Sequence, residues 1–86
     1  MLTDQIKNEL AELNEEMLFA DGFEGAYVGY ATQFNKALAV YDYNLCVKIL
    51  MDRDGMTDDE AIEYMDFNVL GAWVGENTPL FLYVEE

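Results

Sequence analysis

Eighteen aspartates and glutamates stand against four lysines and arginines in this 86-residue chain, a formal charge of -14 at neutral pH. Most of those carboxylates have no cation to pair with, and a buried, unpaired carboxylate costs more than a single contact can offset. Most of those carboxylates must therefore stay at the surface, in contact with water. The chain is nevertheless 52% hydrophobic and 14% aromatic, too rich for a disordered acidic tail, which lacks the side chains to offset its ordering entropy. A packed core under an acidic coat is the consequence. A chain of this size buries roughly 60 to 65% of its unfolded surface, enough for one domain and too little for two. Residues 1–86 are expected to form a single acidic domain.

Hydrophobic spacing divides the chain into elements. Thr3 is an N-cap, and Ile6, Leu10, Leu13, Met17 and Ala20 follow at spacings of four and three, one apolar stripe of a first helix that should end near Asp21-Gly22. Its seam is too short for a coiled coil, so the stripe is expected to pack on the domain's own sheet. Glu24 to Thr32 and Ala37 to Tyr41 are rich in β-formers, and Gln33-Phe34-Asn35-Lys36 suits the hairpin turn between them. Asp42 caps a second helix carrying Leu45, Cys46, Ile49 and Leu50, which stops at Asp54-Gly55. Thr57 and Glu60 form a capping box for a third, with Ala61, Ile62, Met65 and Val69 on its apolar side. Gly71, Gly75 and Asn77-Thr78-Pro79 then break the chain before a last strand, Leu80 to Val84.

The fold class is α+β, in the order α-β-β-α-α-β, with a three-stranded antiparallel sheet and three helices. Alternation along the last strand puts Leu80, Leu82 and Val84 on one side and Phe81 and Tyr83 on the other, so both faces are apolar. If the helices cover only one face, Phe81, Tyr83 and neighbouring aromatics form an exposed patch suited to a homodimer or a partner. In the alternative, the first helix crosses over and buries the second face. Trp73 reads either as a core plug or as a partner hot spot.

Several chemistries drop out. The chain has no histidine and no serine, which removes Ser-His-Asp and Cys-His nucleophile arrangements. Zinc is left with one cysteine and carboxylates, and Cys46, among Leu45, Ile49 and Leu50, reads as a buried thiol. Aligning Gly55 with the glycine of a calcium-binding loop puts Leu50 and Ala61 where that loop needs carboxylates. No glycine-rich phosphate loop is present, and with so many acids a suitably spaced carboxylate pair carries no specificity. No enzyme activity, cofactor or metal is expected. No run approaches the roughly 18 apolar residues of a membrane span, and Met1-Leu2-Thr3-Asp4 does not open a secretory signal. With a single cysteine and no possible intrachain disulfide, the expected location is the cytoplasm.

The charge points to the partner. It repels nucleic acid and anionic membranes and attracts a basic surface, including one that normally holds nucleic acid. Glu9, Glu12 and Glu16 on the first helix, and Asp59, Glu63 and Asp66 on the third, recur at helical spacing and make two acidic ladders. Neighbouring carboxylates in such a ladder lie about 5 to 6 Å apart, a spacing that could imitate a row of phosphates. The competing account is a solvated face that keeps the protein soluble.

The string Arg53-Asp54-Gly55-Met56-Thr57-Asp58-Asp59-Glu60-Ala61-Ile62-Glu63-Tyr64, continued by Phe67-Asn68 and by Gly71-Ala72-Trp73-Val74-Gly75-Glu76-Asn77-Thr78-Pro79, resembles short uncharacterised proteins of bacteriophages and bacteria. The resemblance covers roughly the C-terminal third. It carries no established activity and assigns no functional residue. A phage origin implies a part in disarming a host protein in the host cytoplasm, since phages encode small acidic inhibitors that include DNA mimics and anti-CRISPR proteins.

Overall fold

The computed structural model describes residues 1–85. Its first helix, α1, spans Asp4–Leu13, and Thr3 Oγ1 accepts the Ile6 amide at 3.2 Å to satisfy one of the orphan donors at its start. The helix stops well short of Gly22. Asn14 leaves the helical region at φ -157 and ψ 100, and its side chain makes three hydrogen bonds that a helix continuing past it would break. Nδ2 donates to the Ala37 carbonyl at 3.0 Å and to Asn77 Oδ1 at 2.9 Å, while Oδ1 accepts the Glu16 amide at 3.1 Å. Asparagine competes well with the helix for such bonds. Leu13 is consequently exposed, and Met17 reaches the core from an irregular segment.

A short 3-10 turn, Glu24–Ala26, leads into a hairpin of β1, Tyr27–Gln33, and β2, Lys36–Asp42. Gln33 pairs with Lys36, leaving Phe34 and Asn35 as the turn, and a bulge interrupts the ladder between Tyr27 and Gly29. Strand β2 runs directly into helix α2, Tyr43–Asp54, because Asp42 accepts the Leu45 amide at 3.1 Å. That helix ends on Gly55 at φ 69, a left-handed position that a side chain would strain. Helix α3, Asp58–Tyr64, opens with the complete Thr57–Glu60 capping box, its bonds 2.9 and 3.2 Å long. The next turn widens: Met65–Val69 is a π segment, closed by the Leu70 amide on the Met65 carbonyl at 2.7 Å. Strand β3, Leu80–Leu82, is shorter than its sequence pattern.

The sheet order is β1-β2-β3, with β1 and β2 antiparallel. The expectation of a wholly antiparallel sheet fails at β3, which pairs parallel to β2 in the register Val40 with Leu80, Tyr41 with Phe81 and Asp42 with Leu82. Geometry accounts for the difference. A parallel pair needs a crossover of a dozen or more residues, and α2, α3 and the loop after them supply it.

Alternation along β2 separates two faces. Ala37, Ala39 and Tyr41 join Leu10, Met17, Phe23, Cys46, Val47, Leu50, Ala61 and Met65 in one buried cluster. Leu10 of α1 belongs to that cluster, so α1 packs on the same face as α2 and does not cross to cover the other. Leu38, Val40, Leu80 and Leu82 point to that second face by strand alternation and by their shared register. Small residues at Ala26, Ala39 and Ala61, all fully buried, let the helices approach the sheet closely.

Burial divides two positions that the sequence pattern treats alike. Leu10 is 4% exposed, whereas Ile62 is 36% exposed because Ala61 and Met65, not Ile62, face inward on α3. Leu10→Asp should abolish cooperative melting, since it places an unpaired charge in the core. Ile62→Asp should fold and lose about 1 kcal/mol or less. Thermal melts followed by circular dichroism check both, and an unfolded Ile62→Asp protein would contradict the assignment.

Candidate partner-binding surface

The structure keeps part of each acidic ladder. Glu9 and Glu12 lie on α1, but Glu16 falls beyond Asn14, where its carboxylate approaches Asn77 Nδ2 at 3.5 Å. Asp59 and Glu63 lie on α3, while Asp66 sits in the π segment and accepts the Tyr43 hydroxyl at 3.0 Å. The expectation of two three-membered helical ladders is therefore corrected to two pairs plus two acids held elsewhere. The causes are the early stop at Asn14 and the wider π turn, which rotates the side chains beyond it out of the α-helical row.

Charge is nonetheless uncompensated. Among the described residues the ion pairs are Lys36–Glu76 at 3.8 Å and Arg53–Asp54 at 2.9 Å, and no ladder acid takes part in either. No charged residue among them is buried. The Arg53 guanidinium beside Asp54 holds that carboxyl below its usual range, and the Thr57 backbone and side chain do the same for Glu60. The capping bonds fix Glu60 in orientation, beside Glu63, Tyr64, Phe67, Asn68 and Met56 around a shallow pocket of about 420 Å³.

The aromatic patch expected from Phe81 and Tyr83 is divided. Phe81 faces inward and stacks on Tyr41 at 5.7 Å between ring centres, and Tyr83 lies over Tyr43 at 4.4 Å with its outer surface exposed. The open sheet face instead shows Leu80 and Leu82. Three other aromatics are far more exposed: Phe34 at 93%, Phe67 at 74% and Trp73 at 73%. Trp73 is thus no core plug. After the π segment the backbone turns so tightly that a Cβ on Gly71 would lie 2.9 Å from the Phe67 carbonyl oxygen. The chain then swings outward. Thr78 pins the loop by accepting the Val74 amide at 3.0 Å and donating to the Gly75 carbonyl at 2.7 Å, leaving the indole outside.

Trp73 and Phe34 line one groove of about 540 Å³, together with Leu38, Pro79 and Leu80. Phe34 stands at φ 56, a conformation that costs a side chain other than glycine or asparagine about 1 kcal/mol. Its position could have been read from the sequence. A phenylalanine at the tip of a two-residue turn cannot fold back to the core, and glycine or asparagine is the usual occupant. Phe67 carried a signal of its own, because helical spacing already sets it opposite the stripe of Ala61, Ile62, Met65 and Val69.

Cys46 is fully buried, and burial pushes its thiol up to about 12. Among the described residues no three histidine, cysteine, aspartate or glutamate side chains gather to hold a metal ion, and no helix is long and apolar enough to cross a membrane. Comparison with family models, with curated proteins and with solved structures finds no match to this chain.

Burial also sets an alkaline limit. The Tyr41 hydroxyl is pushed up to about 12, chiefly by desolvation, as is the Cys46 thiol. In the unfolded chain these groups ionise near their ordinary values of about 10 and about 8.5. A raised folded pKa stabilises the native state below the unfolded value and loses that contribution as pH rises through the folded one. The melting temperature should therefore hold level up to about pH 8 and fall steadily toward pH 12, with a smaller fall in Tyr41→Phe. A melting temperature unchanged across that interval would show that neither group is desolvated.

Proposed function

We propose that this chain is a small acidic binding protein, without enzymatic activity, that occupies a basic surface of another protein. The observation that carries this reading is the uncompensated charge: -14 over the chain, with Glu9, Glu12, Asp59 and Glu63 exposed and outside every ion pair among the described residues. A basic surface that normally grips nucleic acid is the best match, because it already holds counterions that an acidic partner releases. The resemblance to short phage and bacterial proteins supports an inhibitor acting on a host protein in the host cytoplasm. Glu9 and Glu12 form one contact group and Asp59 and Glu63 the other, with Glu16 and Asp66 beside them and engaged by Asn77 and Tyr43. Nucleic acid itself and anionic membrane surfaces are repelled by the same field.

Self-association is the alternative favoured by one observation, the exposed Leu80 and Leu82 on a sheet face without helices. Phe81 contributes little to it, being turned inward. Sedimentation velocity separates the two, as charge-driven binding weakens steeply with salt and an apolar dimer hardly responds.

The triple change Asp59→Asn, Glu63→Gln and Asp66→Asn removes three charges while keeping shape and leaving Tyr43 an acceptor. The fold should survive it, and affinity for a basic partner should drop with a shallower dependence on salt. Asp21→Asn, Asp52→Asn and Glu85→Gln, at exposed positions outside both groups, form the control. Equal losses from both triples would mean that net charge alone matters, and no loss from either would count against a basic partner.

A further inference from the structure

The groove between Phe34 and Trp73 is an apolar feature whose two aromatic walls contribute nothing to the core. Neither aromatic belongs to the buried cluster, and the groove floor of Leu38, Pro79 and Leu80 lies on the sheet face that no described helix covers. Phe34 is held in a left-handed conformation where asparagine or glycine would be at ease. A strained, almost fully exposed aromatic beside a second exposed aromatic is a poor arrangement for stability and a good one for contact with another molecule.

Charge selects the occupant. A second copy of this chain brings another -14 and is repelled at long range. Around the groove stand Glu76, at its lip, and Glu16, whose carboxylate reaches Asn77 in the same loop. Lys36 and Glu76, the two charged residues among the lining, pair at 3.8 Å and neutralise each other, so the attraction comes from Glu16 and from the chain's overall negative field. A basic segment is attracted to this rim. The volume of about 540 Å³ accommodates a large apolar side chain with part of its neighbours, within the range usual for binding clefts.

We propose that the groove receives a basic segment of a partner protein and takes one large apolar side chain of that segment between Phe34 and Trp73. The inference rests on the partner being basic, and adds an apolar anchor to what charge alone supplies. Attraction then brings the partner in, and burial of the anchor holds it, since steering mainly raises the association rate and desolvated contacts set dissociation.

Trp73 is the sole tryptophan, so its emission reports directly on the groove. Two blocked heptapeptides serve as probes, one alternating lysine with leucine and one alternating lysine with serine, equal in charge and free of tryptophan. The lysine–leucine peptide should shift Trp73 emission to shorter wavelength and bind at least about tenfold more tightly than the lysine–serine peptide. Phe34→Asn should weaken the lysine–leucine peptide by about tenfold while its melting temperature stays level or rises, because asparagine tolerates the left-handed turn. A purely structural Phe34 would show the opposite pattern, a lower melting temperature with binding unchanged, and would overturn the proposal. Equal binding of both peptides with Trp73 emission unmoved would also overturn the groove while leaving charge-driven recognition standing. Failure of both peptides to bind at low salt would remove the basic partner together with the groove. A blue shift produced by raising the protein concentration alone, with doubled mass in sedimentation, would overturn it by assigning the face to a second copy.

Discussion

The fold depends on Tyr41 more than on any other side chain. It lies on the central strand, is 0% exposed, meets Tyr27 of β1 edge-on at 5.9 Å and stacks on Phe81 of β3 at 5.7 Å. Its hydroxyl accepts the Ala20 amide at 2.9 Å, tying down the irregular segment between α1 and β1. One residue therefore touches both neighbouring strands and the connection from the first helix. A domain this small buries little surface per residue, and concentrating aromatic contacts at a shared centre secures a single arrangement of its parts. Ala39 and Ala61, fully buried in the same cluster, serve the same end, because a larger residue at either would overpack it.

Local signals in the sequence located the starts of elements well. Thr3, Asp42 and Thr57 each cap the helix expected of them, and the Gln33-Phe34-Asn35-Lys36 turn lies where the hairpin needs it. These are short-range effects, decided by a side chain and an amide three residues away. The features that escaped the sequence are long-range. Asn14 ends α1 because it bonds to Ala37 and Asn77, residues far along the chain whose proximity no periodicity reveals. The parallel placement of β3 comes from the length and path of the crossover, and its three residues carry no mark of direction. For the candidate site the result is similar. The acidic residues were legible by composition, their geometry was not, and the outward swing of Trp73 depends on a π turn that looks like ordinary helix in the sequence.

Acidity and exposed aromatics place opposing demands on such a protein. Carboxylates without cations repel one another in the compact state and favour solubility, while exposed Phe34, Phe67 and Trp73 favour association. The two are compatible because like charge keeps copies apart at long range and so opposes association through the rings. Compensation would change stability little, since each surface ion pair gained by replacing an acid with lysine would contribute only about 0 to 1 kcal/mol.

The π segment links these features. Adding a residue to one turn rotates the side chains along it, so Asp66 leaves the line of Asp59 and Glu63 and finds the Tyr43 hydroxyl, and Phe67 stands exposed on the same segment. A continuous α-helix would have kept three carboxylates in register. The observed surface gives up the regular row of charges and gains an aromatic ring set among Glu60, Glu63 and Tyr64. A phosphate row is a repeat, and two carboxylates with a ring beside them are not. Resemblance to a nucleic-acid backbone is thus confined to overall charge and to two short pairs, and a partner that discriminates this chain from a nucleic acid has to do so through the aromatic groups.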